Sequence, residues 1–141
     1  MVKEVPDSVL SNYYIYFGSG RDYARLFPVQ ANLIKSNFGL FRIYWNGQQL
    51  TWGHMYVDVF RVTTMEQLHL LREELSQSLG LPKDSYQFPG SIFQQSCATK
   101  TTDFMEIDKD LIPLLYHPRM LTNLNRSQVE HELEKILLAE K

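Results

Sequence analysis

The sequence predicts an α+β fold of the ferredoxin-like split βαββαβ class with a C-terminal helical extension. Three observations lead there. Tyr13–Gly18 and the longer stretch from Leu40 to Val62 are built from β-branched and aromatic residues with period-two alternation, as half-buried strands require. Apolar residues at helical spacing follow each of these segments, first over Asp22–Asn37 and then over Met65–Leu79. A last amphipathic run, Ser127–Glu140, lies beyond them and supplies the extension.

Strand one, "YYIYFG", stops at the loop-forming "GSG". The helix after it carries Leu26, Phe27, Val29, Leu33 and Ile34 towards a core, with Pro28 as a break or a new start. "LFRIYWNGQQLTWGHMYVDVFRV" then reads as a hairpin of strands two and three, because Asn46–Gly47 tolerates positive φ. Thr63 and Glu66 have capping-box spacing, and Met65, Leu68, Leu71, Leu75 and Leu79 follow one face until Gly80 ends the helix. A fourth strand is expected at "DFMEID" or at "SIFQQS", and "KDLIPLLYHP" as a short helical turn. Ser127 and Glu130 are placed to cap the terminal helix. Residues 1–12 form an N-terminal arm, 13–108 the βαββαβ domain, and 109–141 a helical extension packing on it.

At 141 residues and 44% hydrophobic, the chain is long enough to close one core without staples. No apolar run approaches the roughly 18 residues of a membrane span, so no membrane partner is expected. The start, "MVKEVPDSVL", lacks the basic-then-apolar order of a secretory signal, and the single Cys97 fits a reducing compartment, cytoplasmic or otherwise intracellular. The net charge of −2 argues against neutralising duplex DNA. Its distribution is uneven, with six Lys and Arg against four Asp and Glu in residues 1–62, and eight against twelve in residues 63–141.

With both helices on one side of the sheet, each strand has a buried and an open face. Ile15, Phe17, Met55, Val57 and Val59 are expected inward. Tyr14, Tyr16, His54, Tyr56 and Asp58 then share the open face, joined by Arg42 and Tyr44 in one register of strand two, or by Phe41, Ile43 and Trp45 in the other.

"WGHMYVDV", Trp52–Val59, resembles the third-strand octamer of the RNA recognition motif at Gly53, Tyr56 and Val57, with His54 at an aromatic position. "IYFGSG" from Ile15 is similar to that family's first-strand hexamer, and "NLIKSNFGLFRIYW" to its passage from helix one to strand two. Trp52, Met55 and Val59 depart from the octamer pattern. The resemblance covers residues 13–80 and implies that Tyr16, His54 and Tyr56 stack bases. The expected nucleic-acid-binding set is Tyr14, Tyr16, Arg42, Tyr44, His54 and Tyr56, and the expected ligand is single-stranded RNA.

An alternative is a protein-interaction or homodimerisation module using the same face, since a large aromatic patch is commonly covered. A third is a small-ligand enzyme of the dimeric ferredoxin-like type. His54 and Asp58 stand about 13 Å apart along one strand, too far for a dyad, so no catalytic residue is assigned. "GSGRD", Gly18–Asp22, has the position of a phosphate-binding turn but lacks the Lys and the longer glycine pattern of a nucleotide loop, and reads as a connection. His69, His117 and His131 lack paired ligand spacing, so neither a metal nor a cofactor is expected. Cys97 reads as structural.

Overall fold

The computed structural model describes residues 5–6, 8–95 and 101–139. The chain divides into two compact units, Met1–Asp103 and Phe104–Lys141. Cys97 lies outside the described residues.

The first unit is a mixed α+β domain. Strand β1 (Tyr13–Gly18) leads through Ser19 into helix α1 (Gly20–Leu26). The expected long helix breaks at Pro28 into a 3-10 turn, Pro28–Gln30, because proline offers no N–H to continue the ladder. Strands β2 (Gly39–Asn46) and β3 (Gln49–Asp58) form the expected hairpin, with Gly47 at φ 59° in the turn. Helix α2 (Thr64–Ser78) starts at the expected capping box, the Thr63 side chain accepting from the Glu66 N–H and the Glu66 carboxylate from the Thr63 N–H. Gly80, at φ 134°, follows its end.

The three strands lie in the order β1-β3-β2. β3 pairs antiparallel with β2 and parallel with β1, Tyr13 opposite Gly53 and Gly18 opposite Asp58. A split βαβ unit has β1 and β2 running the same way with an antiparallel β3 between them; here β3 does lie between them, but it runs parallel to β1, so the direction of β1 departs from the expected ferredoxin-like arrangement. The parallel pairing of β1 and β3 is matched by a second departure: the two helices cover opposite faces of the sheet rather than one. α1 and the turn after it bury Tyr56, Leu40 and part of Tyr16 beneath Tyr23, Phe27 and Ile34. α2 buries Met55 and Val57 beneath Leu70, Leu71 and Leu75, with Tyr13, Phe41 and Val62 at the margin.

Both faces of β3 are therefore buried from Gly53 to Asp58. Ile15 and Phe17, expected inward, share the Met55 and Val57 face by register but remain 44% and 48% exposed, because α2 packs over β2 and β3 rather than β1. On α2 the buried stripe is displaced too. Leu70 is buried, while Met65 and Leu68 are exposed.

Neither expected fourth strand forms among the described residues. Around Ser91–Gln95 there is a single bridge between Ser85 and Gln94, and Asp103–Asp108 runs into a helix. That helix, α3 (Glu106–Leu115), belongs to the second unit and is longer than the short turn expected there; the Asp108 carboxylate accepts the Met105 N–H at its start. Helix α4 (Arg126–Ala139) closes the chain. Its start is capped two residues earlier than expected, by Asn125, whose side chain accepts the Gln128 N–H while Gln128 accepts the Asn125 N–H.

Candidate binding surfaces

Helix α1 decides what becomes of the aromatic face. Ser19 caps it by accepting the Asp22 N–H, which fixes the angle at which the chain leaves β1. Tyr23, Phe27, Gln30 and Ile34 then recur at helical spacing and descend on the sheet. The Tyr23 ring stacks on Tyr56 with centroids 4.7 Å apart, and Phe27 lies flat on His54 at 3.7 Å. Tyr56 is fully buried and His54 is 1% exposed. Two of the three positions that the resemblance assigned to base stacking are thus occupied by the protein's own rings, and Tyr16 packs beside them.

His54 sits in a closed hydrogen-bonded group. Gln30 gives an amide N–H to the Phe41 carbonyl, which turns its Oε1 towards Tyr23; the Tyr23 hydroxyl donates to it at 2.5 Å. The Tyr23 oxygen is then the acceptor for His54 Nδ1–H at 2.7 Å. Burial, and secondarily the charge on Arg42, lowers the His54 pKa to about 4, so the ring is neutral at physiological pH. A neutral, doubly packed histidine here orients Tyr23 and Gln30 and holds α1 on the sheet.

At the end of β3 a second polar group ties the loop to the strand. Asp58 Oδ2 accepts from the Tyr56 hydroxyl and from Arg61 Nε, and Oδ1 from the N–H groups of Phe60 and Arg61. Arg61 Nη2 reaches the carbonyls of Ile34 and Asn37 and the Tyr56 oxygen. Burial alone would raise the Asp58 carboxyl, but the Tyr56 hydroxyl, the Arg61 guanidinium and the two backbone donors hold it at about 2. The same surroundings, burial first and Asp58 next, push the Tyr56 hydroxyl up to about 12.

Towards the β2–β3 hairpin, α1 no longer covers this side of the sheet. The pairing places Arg42 opposite His54 and Tyr44 opposite Trp52, the first of the two registers weighed for β2. Tyr44 is 39% exposed and Trp52 and Tyr14 are half-buried. Trp52 stands at the centre, 5.2 Å from Tyr44 and 6.0 Å from Tyr14 between ring centroids. Arg42 Nε donates to the Tyr44 hydroxyl, and its guanidinium carbon lies 5.4 Å from the Tyr44 ring centroid. The six expected site residues therefore fall into two groups: Tyr14, Arg42 and Tyr44 reach the surface, whereas Tyr16, His54 and Tyr56 belong wholly or partly to the core. Trp52 joins the surface group. The octamer pattern, which places a basic residue there, gave no reason to select it, although its alternation with His54 and Tyr56 put it on their face.

Among the described residues no group of three or more His, Cys, Asp or Glu side chains is placed to hold a metal ion. His69, on α2, has Nε2 3.1 Å from a Glu73 carboxylate oxygen and Nδ1 2.5 Å from the Thr101 carbonyl; burial lowers its pKa, but these two acceptors outweigh it and raise the pKa above the ordinary histidine value. Among the described residues no helix is long and apolar enough to cross a membrane.

Among the described residues the chain is of mixed α+β class: the first unit carries a three-stranded sheet, α1, α2 and a partly exposed cluster of aromatic residues, and the second carries α3 and α4. The chain belongs to the family described as Protein of unknown function (DUF2927), which it matches over residues 3–135. No curated protein and no solved structure matches it.

Proposed function

We propose that the first unit is a non-enzymatic binding domain that takes single-stranded RNA on the surface formed by Tyr14, Arg42, Tyr44 and Trp52. One observation carries this reading: on the side where α1 has covered Tyr56 and His54, these rings and a guanidinium still reach solvent at the hairpin end of the sheet. Exposed rings accept any base by stacking, and an arginine beside them serves both stacking and phosphate contact. The surface is narrower than the one the resemblance implies, so it holds one or two bases and not a long strand. With one arginine in it, affinity rests on stacking and depends weakly on salt.

The test is a fluorescence-anisotropy titration of the full chain against labelled mixed-sequence RNA at low salt. Tyr44→Ala and Trp52→Ala should each weaken binding about five- to a hundredfold, the worth of one stacked base. Tyr56→Ala should unfold the domain instead of weakening binding selectively. Absence of binding up to about 100 μM protein, where ordinary non-specific affinities are visible, would refute the RNA reading. Concentration-dependent self-association lost in Trp52→Ala would point instead to a protein-interaction module on the same surface.

A further inference from the structure

The parallel pairing of β1 and β3 creates a feature that the aromatic surface does not use. Adjacent parallel strands that send their following helices to opposite faces leave a crevice outside their carboxyl ends, the usual ligand position in open sheets of parallel strands. Here β1 ends at Gly18 and leads to α1 on one face, and β3 ends at Asp58 and leads to α2 on the other. A cleft of about 690 Å³ lies there, within the range of small-molecule sites. Its floor is apolar, with Ala24, Ala31 and Ile34, and the 77% exposed Phe60 stands at its rim.

Its charge is one-sided. Arg21, Arg25, Lys35 and Arg61 face it against Asp22 and Asp58, four cations to two carboxylates, a net of +2. These are four of the six basic residues in the first 62, so the excess positive charge of that part of the chain is gathered at one place. The two carboxylates are already committed, Asp58 to Arg61 and Asp22 to Arg25. Arg21 and Lys35 are exposed, and among the described residues their side chains make no hydrogen bond or ion pair.

We propose that this crevice binds a small phosphate monoester with an apolar or aromatic body. The phosphate dianion meets Arg21 and Lys35, with Arg25 behind them, and the body lies on the Ala24, Ala31 and Ile34 floor against Phe60. Two unpaired cations match the charge of the dianion, and the ring at the rim gives its organic group a face to pack on. The "GSGRD" connection, which lacks the lysine of a nucleotide loop, takes that second cation from Lys35, beyond α1 in the chain. Arg61 is spent on Asp58 and on the backbone carbonyls of Ile34, Lys35 and Asn37, so it shapes the wall and does not serve as a ligand.

Isothermal titration of the full chain with phenyl phosphate, inorganic phosphate and phenol tests this. Phenyl phosphate should bind saturably and more tightly than inorganic phosphate, and phenol should not bind. The double variant Arg21→Gln, Lys35→Gln should lose phenyl phosphate affinity about ten- to a hundredfold, as expected for lost charge-assisted contacts, while melting at the wild-type temperature. Phe60→Ala should bring phenyl phosphate down to the affinity of inorganic phosphate. RNA affinity should be unchanged in the double variant. No heat with phenyl phosphate up to about 10 mM, weaker than any affinity worth about 3 kcal/mol, would overturn the proposal. So would equal binding by wild type and double variant, or an equal loss of RNA binding, which would assign the cations to the nucleic-acid backbone.

Discussion

Asp58→Asn separates the charge of the Asp58 group from its shape. Asparagine can keep Oδ1 towards the N–H groups of Phe60 and Arg61, but it turns an amide donor on the Tyr56 hydroxyl and on Arg61 Nε, where the carboxylate accepted both. The Asp58 side chain is 2% exposed, so little water can relieve the mismatch. Its pKa falls from 3.8 unfolded to about 2 folded. A depressed carboxylate stabilises the fold above the unfolded value and loses that contribution as pH falls through the folded one. At about 1.4 kcal/mol per unit the contribution is about 2.5 kcal/mol at neutral pH. Urea denaturation of wild type and variant at a series of pH values reads it. The variant should be about 2–4 kcal/mol less stable at pH 7, the cost of losing a buried hydrogen-bonded charge that has one partly exposed partner. The gap should narrow as the wild type approaches pH 2. A gap that stays constant from about pH 6 to pH 2 would refute the ionised, fully bonded Asp58 described above.

The pH dependence of His54 has the same sign for a different reason. Its pKa is lowered from 6.5 to about 4, so stability is fully present above 6.5 and falls on acidification by up to about 3 kcal/mol; His54→Phe should flatten that slope in thermal melts between those values. Glu74 has the opposite sign: burial first, then Glu73 and Asp84, raise its pKa to about 8, so stability falls as pH rises from about 4.5 towards 8, and Glu74→Gln should melt higher than wild type at pH 8. Gly20→Ala should cost about 1–3 kcal/mol in denaturant titration, because the added Cβ would sit 2.3 Å from Ile34 Cγ2 and 2.8 Å from the Tyr56 oxygen.

Local chemistry made several elements legible in the sequence. The Asn46–Gly47 turn, the Thr63–Glu66 capping box and the break at Pro28 all depend on residues adjacent in the chain, and each stands where expected. The direction of β1 was not legible, because alternation within a strand is the same whether its neighbour runs parallel or antiparallel. With the direction went the side of the sheet on which α1 lies. The buried face of α1 and the turn after it differs from the expected one for a related reason: Leu26, Val29 and Leu33 are apolar and exposed, while the buried stripe runs through Tyr23 and Gln30, whose polar atoms satisfy one another only once the chain is folded. Counting Tyr23 with Phe27 and Ile34 at helical spacing would have found that stripe. It would also have shown that Tyr56 and His54 had a ready cover within the same unit. On the second unit, the Asn125 and Gln128 pair is as readable as Ser127 and Glu130; two overlapping caps two residues apart cannot be ranked by residue type alone.

The RNA reading is tested most directly at Trp52 itself. The chain has two tryptophans, Trp45 and Trp52, so Trp45→Phe leaves the ring at the centre of the proposed surface as the sole tryptophan emitter. Titrated with a short single-stranded RNA at low salt, this protein should show saturable quenching of Trp52 emission, and the quenching should weaken about five- to a hundredfold when Tyr44→Ala is added. Emission that stays unchanged up to about 100 μM RNA, or that shifts without saturating, would contradict base stacking on this surface.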